Sequence, residues 1–246
     1  MIFKILSDCF LFLSNDYLLM AIAAALFIFS TKKDNTELIL LLLFAMMYKA
    51  ILKDIFKLPA PLTSPTLNYG FPSGHMNFAT VFYVFLMFKY STKSMYILGI
   101  TSLILTGWSI VYFGYHTISD VILTPLFGIF SVGLYRVLLG ETNKNIIILI
   151  FMIAATVCQM ISLILIDSMK CDLIIGSYAT FGFGSSILFQ NDPKKLVISF
   201  ACLILFFLFS DDVTQSVLNM KWSVIFALLP IFKKQASRRR CKIKDN

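Results

Sequence analysis

SIVYFGYHTISDVILTPLFGIFSVGLYRVLL, residues 109–139, opens as a polar turn and closes as an apolar run. Ser119–Leu139 holds only Asp120 at its head and Arg136 near its end, and it matches the roughly 20 apolar residues that cross a bilayer as a helix. At the mouth of that run stand His116 and Asp120, one helical turn apart. Ionisable residues at the edge of an apolar span are read as functional before they are read as packing. The only other histidine, His75, closes Pro72-Ser73-Gly74-His75 at the head of a second apolar run. Two imidazoles, one of them within reach of a carboxylate, supply a nucleophile and an acid.

Working outward, the same pattern of apolar runs and polar breaks covers the chain. Of its 246 residues 59% are hydrophobic and 14% charged, too few charges to solvate the surface of a soluble domain. The mean hydropathy is +0.85. The runs Tyr17–Ser30, Glu37–Leu52, His75–Phe88, Met95–Phe113, Ser119–Leu139, Ile146–Ile166, Leu173–Phe189, Leu196–Ser210 and Val213–Phe232 are of membrane length or close to it. Backbone polar groups in lipid must be satisfied within the segment, which forces helices. The expected class is therefore an all-α, polytopic integral membrane protein. Met1–Leu13, with one lysine and no small-residue cleavage site, reads as an interfacial helix rather than a removable signal.

The net charge of +8 comes from basic residues at the ends of runs and in the tail from Lys233 to Lys244. No basic stripe interleaved with aromatics accompanies it, so nucleic acid is excluded as a partner and the membrane is the expected one. Cys158 and Cys202 lie inside apolar runs, and the five cysteines fit neither a disulfide framework nor a metal pattern. If the runs span in turn, the loops at Lys32-Lys33, Lys89/Lys93, Arg136/Lys144 and Lys194-Lys195 share a face with Arg238-Arg239-Arg240. The positive-inside rule places that face, and the C-terminus, in the cytoplasm. Both histidines then lie on the extracytoplasmic face of a cell membrane. Gly176, Gly182 and Gly184 suit close helix packing.

Three stretches meet on that face. Lys53 ends the second run, with Lys57 one turn on. Gly74 in the Pro72–His75 turn lets backbone approach an anion, and the helix beginning there presents N–H groups and a positive dipole end. His116 and Asp120 complete the set. Lys53, Lys57, Ser73 and Gly74 are the expected phosphate contacts. For Asp120 a second role is available at a helix N-terminus, with Ser119 before it as a cap.

These residues resemble the type 2 phosphatidic acid phosphatase superfamily, which includes lipid phosphate phosphatases, glucose-6-phosphatase and vanadium haloperoxidases. Its motifs are Lys-x6-Arg-Pro, Pro-Ser-Gly-His and Ser-Arg-x5-His-x3-Asp. Here they stand as Lys53 followed after six residues by Ala60-Pro61, as Pro72 to His75, and as Ser109-Ile110 with His116 and Asp120 in register. The resemblance covers about Glu37 to Leu139. It implies a helical-bundle core, residues 1–166, followed by a C-terminal transmembrane extension and basic tail, residues 167–246. It further implies that His116 attacks phosphorus, Asp120 orients and stabilises that ring, His75 protonates the leaving oxygen, and no metal or cofactor takes part. Both family arginines are replaced, by Ala60 and Ile110. Losing one oxyanion donor costs on the order of 3 kcal/mol, so the replacement bears directly on activity.

The expected function is hydrolysis of a lipid phosphate monoester, of isoprenyl or diacylglycerol type, through a phosphohistidine. Two alternatives stay open. One is transfer of a phosphorus-containing headgroup between lipids, for which sphingomyelin synthases are similar in using a histidine–aspartate pair. The other is a non-catalytic lipid-phosphate binder or transporter.

Overall fold

The computed structural model describes residues 2–30, 35–61, 69–139, 142–165, 171–189 and 221–234. Among these residues the regular elements are helices: α1 (Ile2–Leu13), α2 (Asp16–Phe29), α3 (Thr36–Phe56), α4 (Gly74–Tyr90), α5 (Lys93–Tyr112), α6 (Ile118–Leu139), α7 (Lys144–Leu165), α8 (Cys171–Leu188) and α9 (221–234). The expected all-α architecture is what the chain adopts. The run Leu196–Ser210, the start of Val213–Phe232 and the tail Arg238–Arg240 lie outside the described residues.

Lys93–Tyr112, Ile118–Leu138 and Lys144–Ser162 are long and apolar enough to cross a membrane. Phe3–Leu13 and Asp16–Phe29 pass the same test together, bent by 51° to one another. The segment expected to lie at the interface is thus one arm of a bent helix pair. The other expected spans that fall on described residues are helical without meeting that length and hydropathy. At about 1.5 Å per residue, the 17-residue α4 is shorter than the hydrocarbon core. α3 carries Glu37, Lys49, Lys53 and Asp54.

The chain forms two compact units: Met1–Ile22 with Tyr48–Glu141, and Ala23–Met47 with Thr142–Asn246. In the first, α4 is the central helix. It is apolar all round, and from Met76 to Met87 all but Tyr83 are buried, as expected of a helix surrounded by protein. α5 and α6 pack against α4, and α1 packs on α5. Glycines allow these approaches: a Cβ on Gly128 of α6 would come within 2.8 Å of Thr80, and one on Gly107 of α5 within 2.8 Å of Val121. The outer faces of α5 and α6 expose Ile97, Ile104, Trp108, Ile122, Phe130 and Val137, an apolar surface suited to lipid.

In the second unit α7 and α8 pack together. Gly176 sits against Met47 and the Leu43 carbonyl, Gly184 against Ile148 and Met152, and Gly182 against the Ser223 carbonyl. Larger side chains at these three positions would hold the helices apart, as expected from the sequence. Phe27 and Phe183 make an edge-on ring contact at 5.2 Å, and Phe44 and Phe151 another at 5.9 Å.

Candidate active site

The polar ends of α3, α4 and α6 come together in the first unit. α3 runs on to Phe56, beyond the expected end of its run, so Lys53 sits in its last turn. The helix stops at Lys57, which has φ 49° and donates its N–H to the Lys53 carbonyl at 3.0 Å. That left-handed residue turns the chain, and the Lys57 side chain is exposed. Residues 69–70 are held against 58–59 by an isolated bridge between Pro59 and Tyr69 and by the Gly70 N–H donating to the Leu58 carbonyl at 2.8 Å. A Cβ on Gly70 would lie 2.9 Å from Ala60 Cα, so the residue must be small there. The rings of Phe56, Phe71 and Phe127 meet edge-on, with centroids 5.0 to 6.0 Å apart, and tie α3, the Pro72–His75 turn and α6 into one corner.

α6 begins with a reciprocal cap. The Asp120 N–H donates to Thr117 Oγ1 at 3.2 Å, and the Thr117 N–H donates to Asp120 Oδ2 at 3.0 Å. This is a capping box with aspartate as its acid. The capping residue is Thr117 rather than the expected Ser119, because the helix starts at Ile118 and only position 117 faces the orphan N–H groups. The cap fixes the carboxylate beside His116: Nδ1 and Oδ2 lie 3.9 Å apart, with both side chains 13% exposed. That distance is longer than a hydrogen bond, and the contact is an ion pair only when the ring is protonated. His116 Nδ1 has no hydrogen-bond partner among the described residues.

Burial pushes His116 down from 6.5 to about 4. The Lys53 charge acts in the same direction and Asp120 opposes both, while a hydrogen bond to the Gly70 backbone favours the charged ring. At neutral pH the imidazole is therefore uncharged and keeps its lone pair. The folded state holds this ring neutral, whereas the unfolded chain takes up a proton below about 6.5. The group thus costs stability as pH falls from about 6.5 to about 4 and contributes nothing above that window. With only two histidines in the chain, 13C-labelled imidazoles give two NMR signals, and His75→Gln assigns them. The His116 signal is expected to titrate near 4, and Lys53→Met to move its midpoint upward. A midpoint at the ordinary value would show the ring open to water.

His75 is partly buried on the first turn of α4, and Asp16, Lys49 and Lys53 are the charged groups that act on it. His75 and His116 also act on one another, so the two imidazoles and Lys53 form one cluster. Of the expected phosphate contacts, the Ser73 N–H is engaged at 3.0 Å by Thr124 Oγ1, which itself donates to the Asp120 carbonyl at 2.6 Å. Ser73 Oγ is buried without a hydrogen-bond partner among the described residues. Gly74 opens α4, and Ile110, where a family arginine belongs, is 1% exposed.

Reading the sequence for motifs passed over two residues. Thr124 joins the turn to α6, and no local pattern announces it. Lys49 is a charge inside an apolar run and lies one turn before Lys53 on the same helix face, a signal that was available. Its Nζ lies 2.7 Å from Asp16 Oδ2 in a largely buried ion pair, and 3.3 Å from where a Cβ on Gly74 would stand.

A search of curated proteins and a search of solved structures each found no match. The family model of the PAP2 superfamily matches residues 34–144, which hold Lys53, the Pro72–His75 turn, His116 and Asp120. Over those residues, whose side chains gather at one end of its first unit, the chain matches the PAP2 superfamily.

Proposed function

We propose that the protein hydrolyses a lipid phosphate monoester at the extracytoplasmic face of a cell membrane through a phosphohistidine. The observation that carries this reading is a buried, neutral His116 beside Asp120, in one cluster with His75 and Lys53. Asp120 faces Nδ1 of His116 and takes up the ring proton's hydrogen bond there, and the opposite nitrogen, released from the Gly70 backbone, attacks phosphorus. The ester P–O bond breaks as a P–N bond forms, and His75 gives its proton to the departing lipid oxygen. In the second half His75 takes a proton from water, whose oxygen displaces His116 and releases orthophosphate. Lys53 and donors at the start of α4 hold the non-bridging oxygens, with charge-assisted contacts that strengthen as charge builds. The apolar faces of α5 and α6 suit a substrate whose tail stays in lipid.

A second reading, headgroup transfer to an acceptor alcohol, draws on the charges present. Ala60 and Ile110 leave out both guanidinium groups, Asp16 faces Lys49, and Asp120 opposes the effect of Lys53 on His116. A singly charged phosphodiester needs fewer cations than a doubly charged monoester. Purified protein in detergent, given a panel of lipid monophosphates, separates the two. Orthophosphate release without added alcohol supports hydrolysis. A product that forms only with a lipid alcohol, and no orthophosphate, supports transfer and overturns the monoester reading.

A further inference from the structure

We infer that Lys49 is a second phosphate-binding cation of this site and that Asp16, from outside the family-matched residues, positions it. The inference rests on the phosphate-handling reading above and names residues that reading did not include. Lys49 is 6% exposed, on an apolar helix, with its Nζ 2.7 Å from Asp16 Oδ2. A buried ion pair is weak evidence for stability, since two apolar side chains of similar volume serve as well or better. Its place in the fold therefore asks for another reason.

The location supplies one. Lys49 lies one helical turn before Lys53, so both ammonium groups leave α3 on the same face toward the turn that opens α4. Gly74 is the first residue of α4, and a Cβ there would stand 3.3 Å from Lys49 Nζ and 3.8 Å from Lys49 Cδ. The missing side chain at Gly74 thus lets the ammonium reach the N-terminal turn of α4, where phosphate oxygens are best received. Lys49 also acts electrostatically on His75, the next residue. Asp16 accepts a hydrogen bond from the Lys49 ammonium at 2.7 Å. Asp16 Oδ1 is buried without a hydrogen-bond partner among the described residues, so this carboxylate has one oxygen committed to Lys49 and one in reserve. In a site without either family guanidinium, two lysines a turn apart supply two separate point charges. Asp16 holds the deeper one in a single geometry, so that less side-chain freedom is lost on binding.

The test uses orthophosphate as probe, with binding followed by 31P NMR on the full-length protein in detergent. Asp16→Asn/Lys49→Met removes one positive and one negative charge together. The net charge of the site is unchanged, so a loss reports the contact rather than the general field. The exchange Asp16→Lys/Lys49→Asp keeps an ion pair for folding and moves the ammonium off α3. Both variants are expected to melt as wild type does and to weaken orthophosphate binding by about tenfold or more, the range for a lost charged hydrogen bond. Lys49→Arg is expected to recover part of that loss. Wild-type affinity in either folded variant overturns the inference and leaves the ion pair purely structural. Lys49-dependent binding in a protein that releases no phosphate from any lipid monophosphate leaves the inference standing and overturns the hydrolytic reading. Wild-type protein that binds no orthophosphate overturns both.

Discussion

His116→Ala is expected to lower phosphate release by roughly three orders of magnitude or more, the scale at which a covalent nucleophile is lost. Two observations make the loss specific to chemistry. The ring is held neutral, with its value pushed down to about 4 by burial, so at pH 7 nearly every molecule has a competent lone pair. It is also not a member of the apolar core: its side chain is 13% exposed and Nδ1 has no hydrogen-bond partner among the described residues. Removing it strands nothing at that nitrogen and gives up the hydrogen bond to the Gly70 backbone, so melting is expected to fall by no more than the roughly 1 kcal/mol of one hydrogen bond. Single-turnover mixing with a 32P-labelled lipid phosphate, stopped in alkali, gives the companion result. Wild type traps label on protein, because phosphohistidine survives alkali, and the variant traps none. Unchanged phosphate release by a folded His116→Ala protein would sink the phosphohistidine mechanism, whatever the identity of the lipid.

The parts of this site that were legible in the sequence are those fixed by local spacing. Helix periodicity makes an i, i+4 histidine and aspartate neighbours wherever the helix lies, and His116 and Asp120 are neighbours at 3.9 Å. Pro72-Ser73-Gly74-His75 opens a helix because its glycine and the apolar run behind it both demand that, and α4 starts at Gly74. The less legible parts depend on where a helix ends or on contacts between distant residues. Lys57 lies one turn after Lys53 only if α3 continues, and the left-handed backbone at Lys57 ends it. The N–H of Ser73 looks available to an anion until α6 brings Thr124, 51 residues on, within 3.0 Å. Asp16 and Lys49 are 33 residues apart, on helices whose pairing nothing in either run announces. Membrane length was harder still to read. α4 has the composition of a span, yet it is short and surrounded by protein, and burial inside a bundle selects the same apolar residues that lipid does.

Asp120→Asn is expected to cost hydrolysis about 10²- to 10⁴-fold while leaving the fold nearly intact. The substitution keeps an oxygen that accepts from the Thr117 N–H, a bond of 3.0 Å in the wild type, so the cap survives and melting falls by no more than the fraction of a capping contact. What is lost is charge. In the resting protein Oδ2 stands 3.9 Å from Nδ1 of His116, so the two atoms must approach by about 1 Å to form a hydrogen bond as the ring takes on positive charge at the proposed phosphohistidine stage. A carboxylate gains from that approach as an opposite charge and an acceptor; an amide offers no charge and presents N–H groups that can hold the wrong tautomer. The same substitution has a second, independent readout. Asp120 is one of the influences that raise the His116 value against burial and Lys53, so its removal is expected to move the NMR titration of that ring below about 4. Loss of activity together with a lowered titration assigns the effect to the charge beside Nδ1. Loss of activity with the titration unmoved, in a protein whose melting has dropped by several degrees, would assign it to the helix cap and would remove Asp120 from the mechanism.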